Sequence, residues 1–155
     1  MAERDFEELL RLFNKHRVRY CIVGAYAVAF HARPRYTKDM DIWVEPSIEN
    51  GRKIVAALNV FGFGGLKLTP EDFVRPGRFI QLGYEPVRVD LITEIGGVTF
   101  KEAWQHRERG RYGKARATFI GRSDLIRNKE HSGRPQDQAD LEQLRPLRVR
   151  KAKRK

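Results

Sequence analysis

Apolar positions near the start of the chain predict a helix, a buried strand and a second helix in succession. Four apolar residues fall at i, i+3, i+4 and i+7: Phe6, Leu9, Leu10 and Phe13. This spacing predicts an amphipathic helix over residues 3–16. Residues 18–23 form a β-branched, apolar run that predicts a buried strand, and Gly24 separates that strand from a predicted buried helix over residues 25–30.

A second strand, over residues 39–44, carries two carboxylates. Strand side chains alternate between faces, so Asp39, Asp41 and Trp43 share one face, and the residues between them point into a core. The two aspartates therefore stand roughly 7 Å apart along the strand. Aspartate is depleted in strands and like charges repel, so the pair is costly without a neutralising cation. The pattern predicts a divalent metal ion at this point.

The middle of the chain predicts a helix and then a hairpin. Pro46-Ser47 breaks the chain and caps a second amphipathic helix, and a single helical turn is predicted to begin at Thr69. Residues 78–83 and 87–93 are two strand-like runs, separated by a turn signal, that predict a hairpin. In the second run Arg88, Asp90 and Ile92 share a face. Asp90 is therefore a third acid on a strand.

The C-terminal half predicts three helices and one more strand. Thr99 opens a helix with a capping box, and Gly110 is predicted to close it. A short strand over residues 115–120 is followed by a helix that Ser123 is predicted to cap and Gly133 to stop, and Pro135 starts the last helix. The alternation predicts the α/β (α+β) class, with a mixed β-sheet of about four or five strands flanked by helices and the acids at one exposed edge or end.

Gly24 lies between a predicted strand and a predicted helix. A glycine there lets a phosphate approach the free N–H groups and the positive end of the helix dipole. Many α/β turns use glycine only for close packing, and that interpretation is favoured for Gly24-Ala25 taken alone. The combination with Asp39 and Asp41 favours a nucleotide site.

Composition indicates one folded domain or two small lobes. The chain has 155 residues, 41% of them apolar, and the predicted domain covers residues 1–144. The single cysteine, Cys21, excludes an intrachain disulfide and suits a reducing compartment. The first residues are charged and acidic, unlike a secretory signal, and the longest apolar run, residues 21–30, is too short to span a bilayer. A cytoplasmic protein without membrane contact is expected.

The formal charge of +11 is concentrated at the C-terminus. Residues 145–155 carry seven positive charges and no acid, so residues 1–144 account for only +4. Such runs commonly form disordered arms that contact nucleic acid through counterion release. A solvated tail that maintains solubility explains the same run equally well.

These residues resemble the nucleotidyltransferase superfamily, which includes polymerase beta and the small minimal nucleotidyltransferases. The resemblance rests on Gly24-Ala25, the Thr37-x-Asp39-x-Asp41 strand and Asp90. Further along, the run from Ser123 to Lys129 and the one from Gly133 to Leu144 are similar to the tail of short nucleotidyltransferase-like proteins related to abortive-infection toxins. The likeness covers about residues 18–145.

The resemblance implies transfer of a nucleoside monophosphate from an NTP to an acceptor hydroxyl. Asp39 and Asp41 would hold two Mg²⁺ ions, roughly 3.5–4 Å apart, and Asp90 would bind the second ion and help deprotonate the acceptor. RNA, tRNA or a protein is a possible acceptor. The expected nucleotide-binding residues are Gly24, Ala25, Arg35, Thr37 and Lys129. For Arg35 and Lys129 a solvated or salt-bridged surface cation is an equally good interpretation, and the first-turn acids Asp137 and Asp140 are explained without catalysis by the helix dipole or a bridge to Lys129 or Arg134.

Two other functions remain open. A metal-dependent nuclease could use the same three carboxylates, although the glycine turn disfavours it. The second alternative is a catalytically degenerate nucleotidyltransferase-fold protein that binds RNA or a toxin–antitoxin partner. The family usually has Gly-Gly or Gly-Ser where this chain has Gly24-Ala25, which favours degeneracy, whereas the presence of all three acids argues against it.

Overall fold

A computed structural model describes residues 3–32, 37, 39–84 and 87–145 of the chain. Its helices are α1 (Arg4–Lys15), α2 (Gly24–His31), α3 (Ile48–Phe61), α4 (Phe100–Gln105), α5 (Arg122–Ser132) and α6 (Pro135–Leu144). Its strands are β1 (Tyr20–Val23), β2 (Asp39–Val44), β3 (Phe79–Tyr84), β4 (Val87–Ile92), β5 (Glu108–Tyr112) and β6 (Ala115–Phe119). Short 3₁₀ turns cover Gly64–Leu66 and Pro70–Phe73, the second of them at the turn predicted from Thr69.

The strands form one mixed sheet in the order β3-β4-β2-β1-β6-β5. β2 pairs in parallel with β4, and β1 pairs in parallel with β6. The other three neighbouring pairs are antiparallel, including the predicted hairpin of β3 and β4. The prediction of an α/β fold with a mixed sheet flanked by helices is confirmed, with six strands rather than four or five.

Apolar side chains fill both sides of the sheet. Alternate residues of the central strands, among them Ile22 and Ile42, join a core cluster that contains residues of α1 and α3. The intervening residues Cys21 and Trp43 belong to a second cluster with residues of α2, α4 and α5. Cys21 is fully buried, and burial raises the pKa of its thiol to about 12.

The structure corrects two predicted element boundaries. Helix α4 ends at Gln105, and Gly110, predicted to close that helix, lies inside the edge strand β5. The charged sequence of β5 has no apolar alternation, so periodicity gave no strand signal there. Helix α5 begins at Arg122 after Gly121, so Ser123 lies in its first turn and is not its cap, whereas Gly133 ends the helix as predicted.

No helix in the described ranges is both long enough and apolar enough to cross a bilayer. The division into a domain over residues 1–144 and a basic tail stays a prediction, since residues 146–155 lie outside the described ranges.

Candidate active site

The three strand acids lie together because of the register between β2 and β4. Asp41 is the cross-strand partner of Asp90, and Asp39 is the partner of Arg88. Side chains of directly opposed residues in neighbouring strands point to the same face. The juxtaposition expected from the strand pattern is therefore present, at the end of β2 that lies beside the C-terminal end of β1.

The carboxyl group of Asp41 has a raised pKa. Burial raises its pKa, and the nearby charges of Asp90 and Asp39 raise it further, to about 6, while Lys129 acts in the opposite direction. The Asp41 and Asp90 carboxyl groups are also close enough to share a hydrogen bond. Burial and neighbouring acids both disfavour the charged form of this carboxyl group, and a cation bound beside it would favour that form.

Asp90 and Asp39 differ from Asp41 because they contact Arg88. The Arg88 guanidinium donates two hydrogen bonds to the buried Asp90 carboxylate, from Nε to Oδ1 at 3.0 Å and from Nη2 to Oδ2 at 3.1 Å. Its Nη1 lies 3.8 Å from Asp39 Oδ2. Asp39 Oδ1 is buried and accepts no hydrogen bond from any residue in the described ranges. The cluster thus holds three carboxylates and one guanidinium.

Gly24 is required at the junction of β1 and α2 for two reasons. Its φ of +68° lies in the left-handed region, which disfavours residues with a side chain. A Cβ atom at this position would lie 2.3 Å from Asp41 Oδ2. The glycine therefore brings the start of α2 directly against the carboxylates, where the first N–H groups of the helix have no intrahelical partner. The N-cap residue, Val23, supplies no side-chain hydrogen bond to them.

A cavity of about 310 Å³ opens beside Asp41 and the start of α2. Its lining includes Gly24, Lys129 and Arg134, and also three polar residues of α5 that sequence reasoning did not select: Asn128, His131 and Ser132. The run from Ser123 to Leu144 was recognised by resemblance, but only Lys129 in it was proposed as a binding residue. Arg88 was also missed, although its place on the same strand face as Asp90 was available from alternation.

Lys129 is held in a buried ion cluster with two acids of α6. Its Nζ lies 3.1 Å from Asp137 Oδ1 and 3.0 Å from Asp140 Oδ2, and only 5% of Lys129 is exposed. Arg134 adds a contact of 3.0 Å to Asp137. The pKa of Asp137 would be raised by burial, but hydrogen bonds from Arg134, Ser132 and Lys129 outweigh that effect and lower it. The expected bridge from Asp137 and Asp140 to Lys129 or Arg134 is confirmed.

The remaining predicted binding residues have mainly backbone or packing contacts. Thr37 Oγ1 accepts a hydrogen bond of 3.1 Å from the Asp39 amide and so holds the start of β2. Ala25 is the second residue of α2 and is buried. Arg35 lies outside the described residues.

The donor set of the acid cluster suits a hard divalent cation. Carboxylate oxygens are the ligands that Mg²⁺ prefers, and the raised pKa of Asp41 and the unbonded Asp39 Oδ1 both indicate a local need for positive charge. Among the described residues, no three or more acidic, histidine or cysteine side chains are arranged as they stand to hold a metal ion. Arg88 occupies both oxygens of Asp90 in this arrangement.

Known structures resemble this chain over nearly its whole length. One is the lincosamide antibiotic adenylyltransferase LnuA in its lincomycin-bound form, with a TM-score of 0.56 and 15% identity over 94% of this chain and 97% of that chain. Another is ANT(2")-Ia in complex with adenylyl-2"-tobramycin, with a TM-score of 0.57 and 11% identity over 92% and 86%. A nucleotidyltransferase-like protein from Paracoccidioides brasiliensis gives 0.54 and 15% over 95% and 78%.

The chain has a nucleotidyltransferase fold. The expected fold is thereby confirmed. No family model matches the sequence, and no curated protein matches it at a significant level. Similarity at 11–15% identity supports the fold alone, so the activity of this chain has to be argued from its own side chains.

Proposed function

We propose that the protein is a nucleotidyltransferase that moves a nucleoside monophosphate from an NTP to an acceptor hydroxyl. The observation that carries this proposal is the contact between the Asp41 carboxylate and the start of α2, with the acids Asp39 and Asp90 beside them. A site for a metal-bound triphosphate needs carboxylates for the cation and free N–H groups for the phosphates. Asp41 and Gly24 both line one cavity.

The proposed roles divide between the two sides of that cavity. The amides of Gly24 and Ala25 would bind the outer phosphates at the N-terminal end of α2. Arg134, from the opposite side, would contribute positive charge toward the same phosphates. Lys129 faces this cavity as well, but its two buried acids neutralise it, so its main effect would be to position α5 against α6.

Asp39, Asp41 and Asp90 would hold Mg²⁺, with one or two ions bound. When bound, the metal would neutralise the triphosphate and lower the pKa of the acceptor hydroxyl. Asp90, oriented by Arg88, would accept the hydroxyl proton. The acceptor oxygen would form a bond to the α-phosphorus, and pyrophosphate would leave with the electrons of the broken P–O bond.

The nucleotide is proposed to be ATP. Of the similar structures, one is named an adenylyltransferase and another contains an adenylyl-tobramycin product, and both names concern adenylyl transfer. Their acceptors are antibiotics. For this chain, the proposed acceptor is a small-molecule hydroxyl, an RNA or tRNA, or a protein.

Isothermal titration calorimetry with ATP, CTP, GTP and UTP, each with Mg²⁺ and then with chelator, tests the proposal. Wild type should bind ATP only when Mg²⁺ is present, and Asp41→Ala should abolish this binding. At a ligand concentration 100 times Kd, mass action should stabilise wild type by about 2.7 kcal/mol. This corresponds to a rise in Tm of about 5–10 °C for a chain of this size.

Glu142→Ala is the matched control, because Glu142 is an exposed acid of α6 with no ion pair to any residue in the described ranges. This variant should bind Mg²⁺-ATP as wild type does. If wild type binds none of the four nucleotides in Mg²⁺, the enzyme proposal is wrong and the degenerate binding protein takes its place.

A further inference from the structure

A second concave surface, the basic groove, lies away from the acid cluster. It encloses about 790 Å³, and its fourteen lining residues include seven cations and no acid. The cations are Arg17, Arg19, Lys53, Arg107, Arg109, Arg111 and Arg116. Arg19 and Lys53 have acidic partners outside the lining, Glu45 at 3.3 Å and Glu49 at 3.7 Å. The groove therefore keeps a large positive excess.

The antiparallel ribbon of β5 and β6 supplies three of these arginines on one face. Arg111 is the direct cross-strand partner of Arg116, and Arg109 is the partner of Thr118. All three arginines are exposed, whereas the intervening residues of β6 are buried. Like charges directly opposite each other destabilise a sheet. Among the described residues no acid forms an ion pair with these three arginines, so their guanidinium groups are accessible to an anionic ligand.

Three further arginines of the groove have either an unusual backbone conformation or an aromatic contact. Arg17 has a φ of +58°, a left-handed conformation that a residue with a side chain adopts at a cost of about 1 kcal/mol. The Arg107 guanidinium lies 3.9 Å from the centroid of the Trp104 ring, and that of Arg19 lies 5.4 Å from it. Guanidinium groups that rest on an aromatic ring lose less conformational entropy when they bind phosphate.

The groove and the acid cluster lie at opposite ends of β1. The groove is lined by Val18, Arg19 and Tyr20 at the N-terminal end of this strand, whereas Gly24 follows its C-terminal end. Arg116 and Thr118 reach the same N-terminal end because β6 runs parallel to β1. A ligand in the groove would therefore not contact the proposed nucleotide site, and neither proposal depends on the other.

We infer that the basic groove binds the phosphate backbone of a single-stranded nucleic acid. Six of its seven cations are arginine, whose planar fork fits phosphate oxygens with paired hydrogen bonds. Arg109 and Arg111 are two residues apart on one strand face, roughly 6.8 Å, and Arg116 lies opposite Arg111, so the three can contact successive phosphates of an extended polyanion. The groove is a concave site of ligand size, so it suits a few nucleotides of one strand.

Fluorescence anisotropy with a labelled 12-nucleotide oligo(U) tests this inference on the full chain. The variant Arg109→Ala/Arg111→Ala/Arg116→Ala should weaken binding at least tenfold at 0.1 M salt. It should also flatten the slope of log K against log[salt] by about 2, since each phosphate contact on a single strand contributes about 0.7. The matched control is Arg11→Ala/Arg52→Ala/Arg75→Ala, which removes three exposed arginines outside the groove. It should change affinity less than threefold.

Three outcomes decide the inference. Equal loss in the groove variant and the control would overturn it, because the binding would then depend on net charge alone. Competition by poly(Glu) as strong as that by unlabelled oligo(U) would also overturn it, in favour of an acidic protein partner. Loss of oligo(U) affinity in the groove variant but not in the control, with an unchanged Tm and an unchanged Mg²⁺-ATP titration, supports the inference. The proposed function is then tested separately by the nucleotide titrations. Oligo(dT) measured in parallel reports whether the 2′-hydroxyl contributes.

Discussion

Two clusters that contain carboxylates border one cavity, the first through Lys129 and Arg134 and the second through Asp41, and they are built in opposite ways. Around Lys129, two buried acids meet one buried ammonium and one guanidinium, and the pKa of Asp137 is lowered. Around Asp41, its two neighbouring acids contact one guanidinium among the described residues, that of Arg88, and the pKa of Asp41 is raised to about 6. Among these residues, the first cluster pairs its acids with cations, and the second has more acids than cations in direct contact.

This difference separates a structural use of aspartate from a use that calls for a ligand. Buried acids that stabilise a fold are normally paired, as Asp137 and Asp140 are. A buried acid whose neighbours are other acids destabilises the unliganded fold, and is tolerated when a cation binds there. Four variants or conditions should change the stability contributed by one of the two clusters. They follow in order of decreasing expected effect.

Lys129→Met should produce the largest loss of stability. It leaves Asp137 and Asp140 buried without their ammonium, and breaking a buried ion cluster in this way costs about 3–5 kcal/mol. In chelator and without nucleotide, Tm should fall by about 6–20 °C. The triple variant Lys129→Met/Asp137→Asn/Asp140→Asn should recover most of the loss. A single variant that melts within 1 °C of wild type would contradict the assignment of this cluster to the scaffold.

Gly24→Ala should have the next largest effect, with Gly133→Ala as its matched control. Both glycines have nearly the same φ, +68° and +65°, so both variants carry a similar backbone strain of about 1 kcal/mol. Only at position 24 would the added Cβ meet a neighbour, Asp41 Oδ2. Chemical denaturation should give a loss of about 2–4 kcal/mol for Gly24→Ala. Equal losses in the two variants would mean that the Asp41 contact is easily relieved.

The pH dependence of stability should differ between wild type and Asp41→Asn. Because the folded-state pKa of Asp41 is raised to about 6, the protonated carboxyl stabilises the fold below the unfolded-state value, and this stabilisation is lost as pH rises from about 4 to about 6. Wild type should therefore lose up to about 2 kcal/mol relative to Asp41→Asn across this window. Urea unfolding of both proteins in chelator at several pH values measures this difference in the free energy of unfolding. If the unfolding free energies of the two proteins change in parallel with pH, the raised pKa is contradicted.

Asp41→Ala in chelator at pH 7 should have the smallest effect. Removing this carboxylate relieves repulsion with Asp90 and Asp39, so Tm should be equal to or slightly above that of wild type. Asp90→Ala should behave differently, since it leaves Arg88 without its two hydrogen bonds and should lower Tm. A marked loss of stability in Asp41→Ala would mean that all three acids are structural.

Residues whose position follows from local periodicity were predicted well. Alternation along β2 and β4 placed Asp39, Asp41 and Asp90 on strand faces, and parallel pairing of the two strands then brought them together. Gly133 was recognised as a helix end because a left-handed C-cap has a strong local preference for glycine. The roles of these residues in catalysis stay predictions.

Features that depend on contacts between distant segments were missed. Strand β5 is defined only by pairing with β6, and its charged sequence has no apolar alternation. The Arg88 contact with Asp39 and the burial of Lys129 depend on tertiary packing, which a sequence pattern does not report. The basic groove is likewise assembled from four separate stretches of chain, so the sequence directed attention to the C-terminal run of cations instead.

The chemistry of Cys21 makes the protein convenient for labelling. This residue is the only cysteine of the chain and is fully buried, and its thiol, with a pKa near 12, carries almost no thiolate at neutral pH. Maleimide and iodoacetamide reagents should therefore leave the wild type unmodified while it is folded. A cysteine introduced at an exposed position, such as Glu142, would be the single reactive thiol, and a fluorophore or spin label would attach there without any prior removal of a native cysteine.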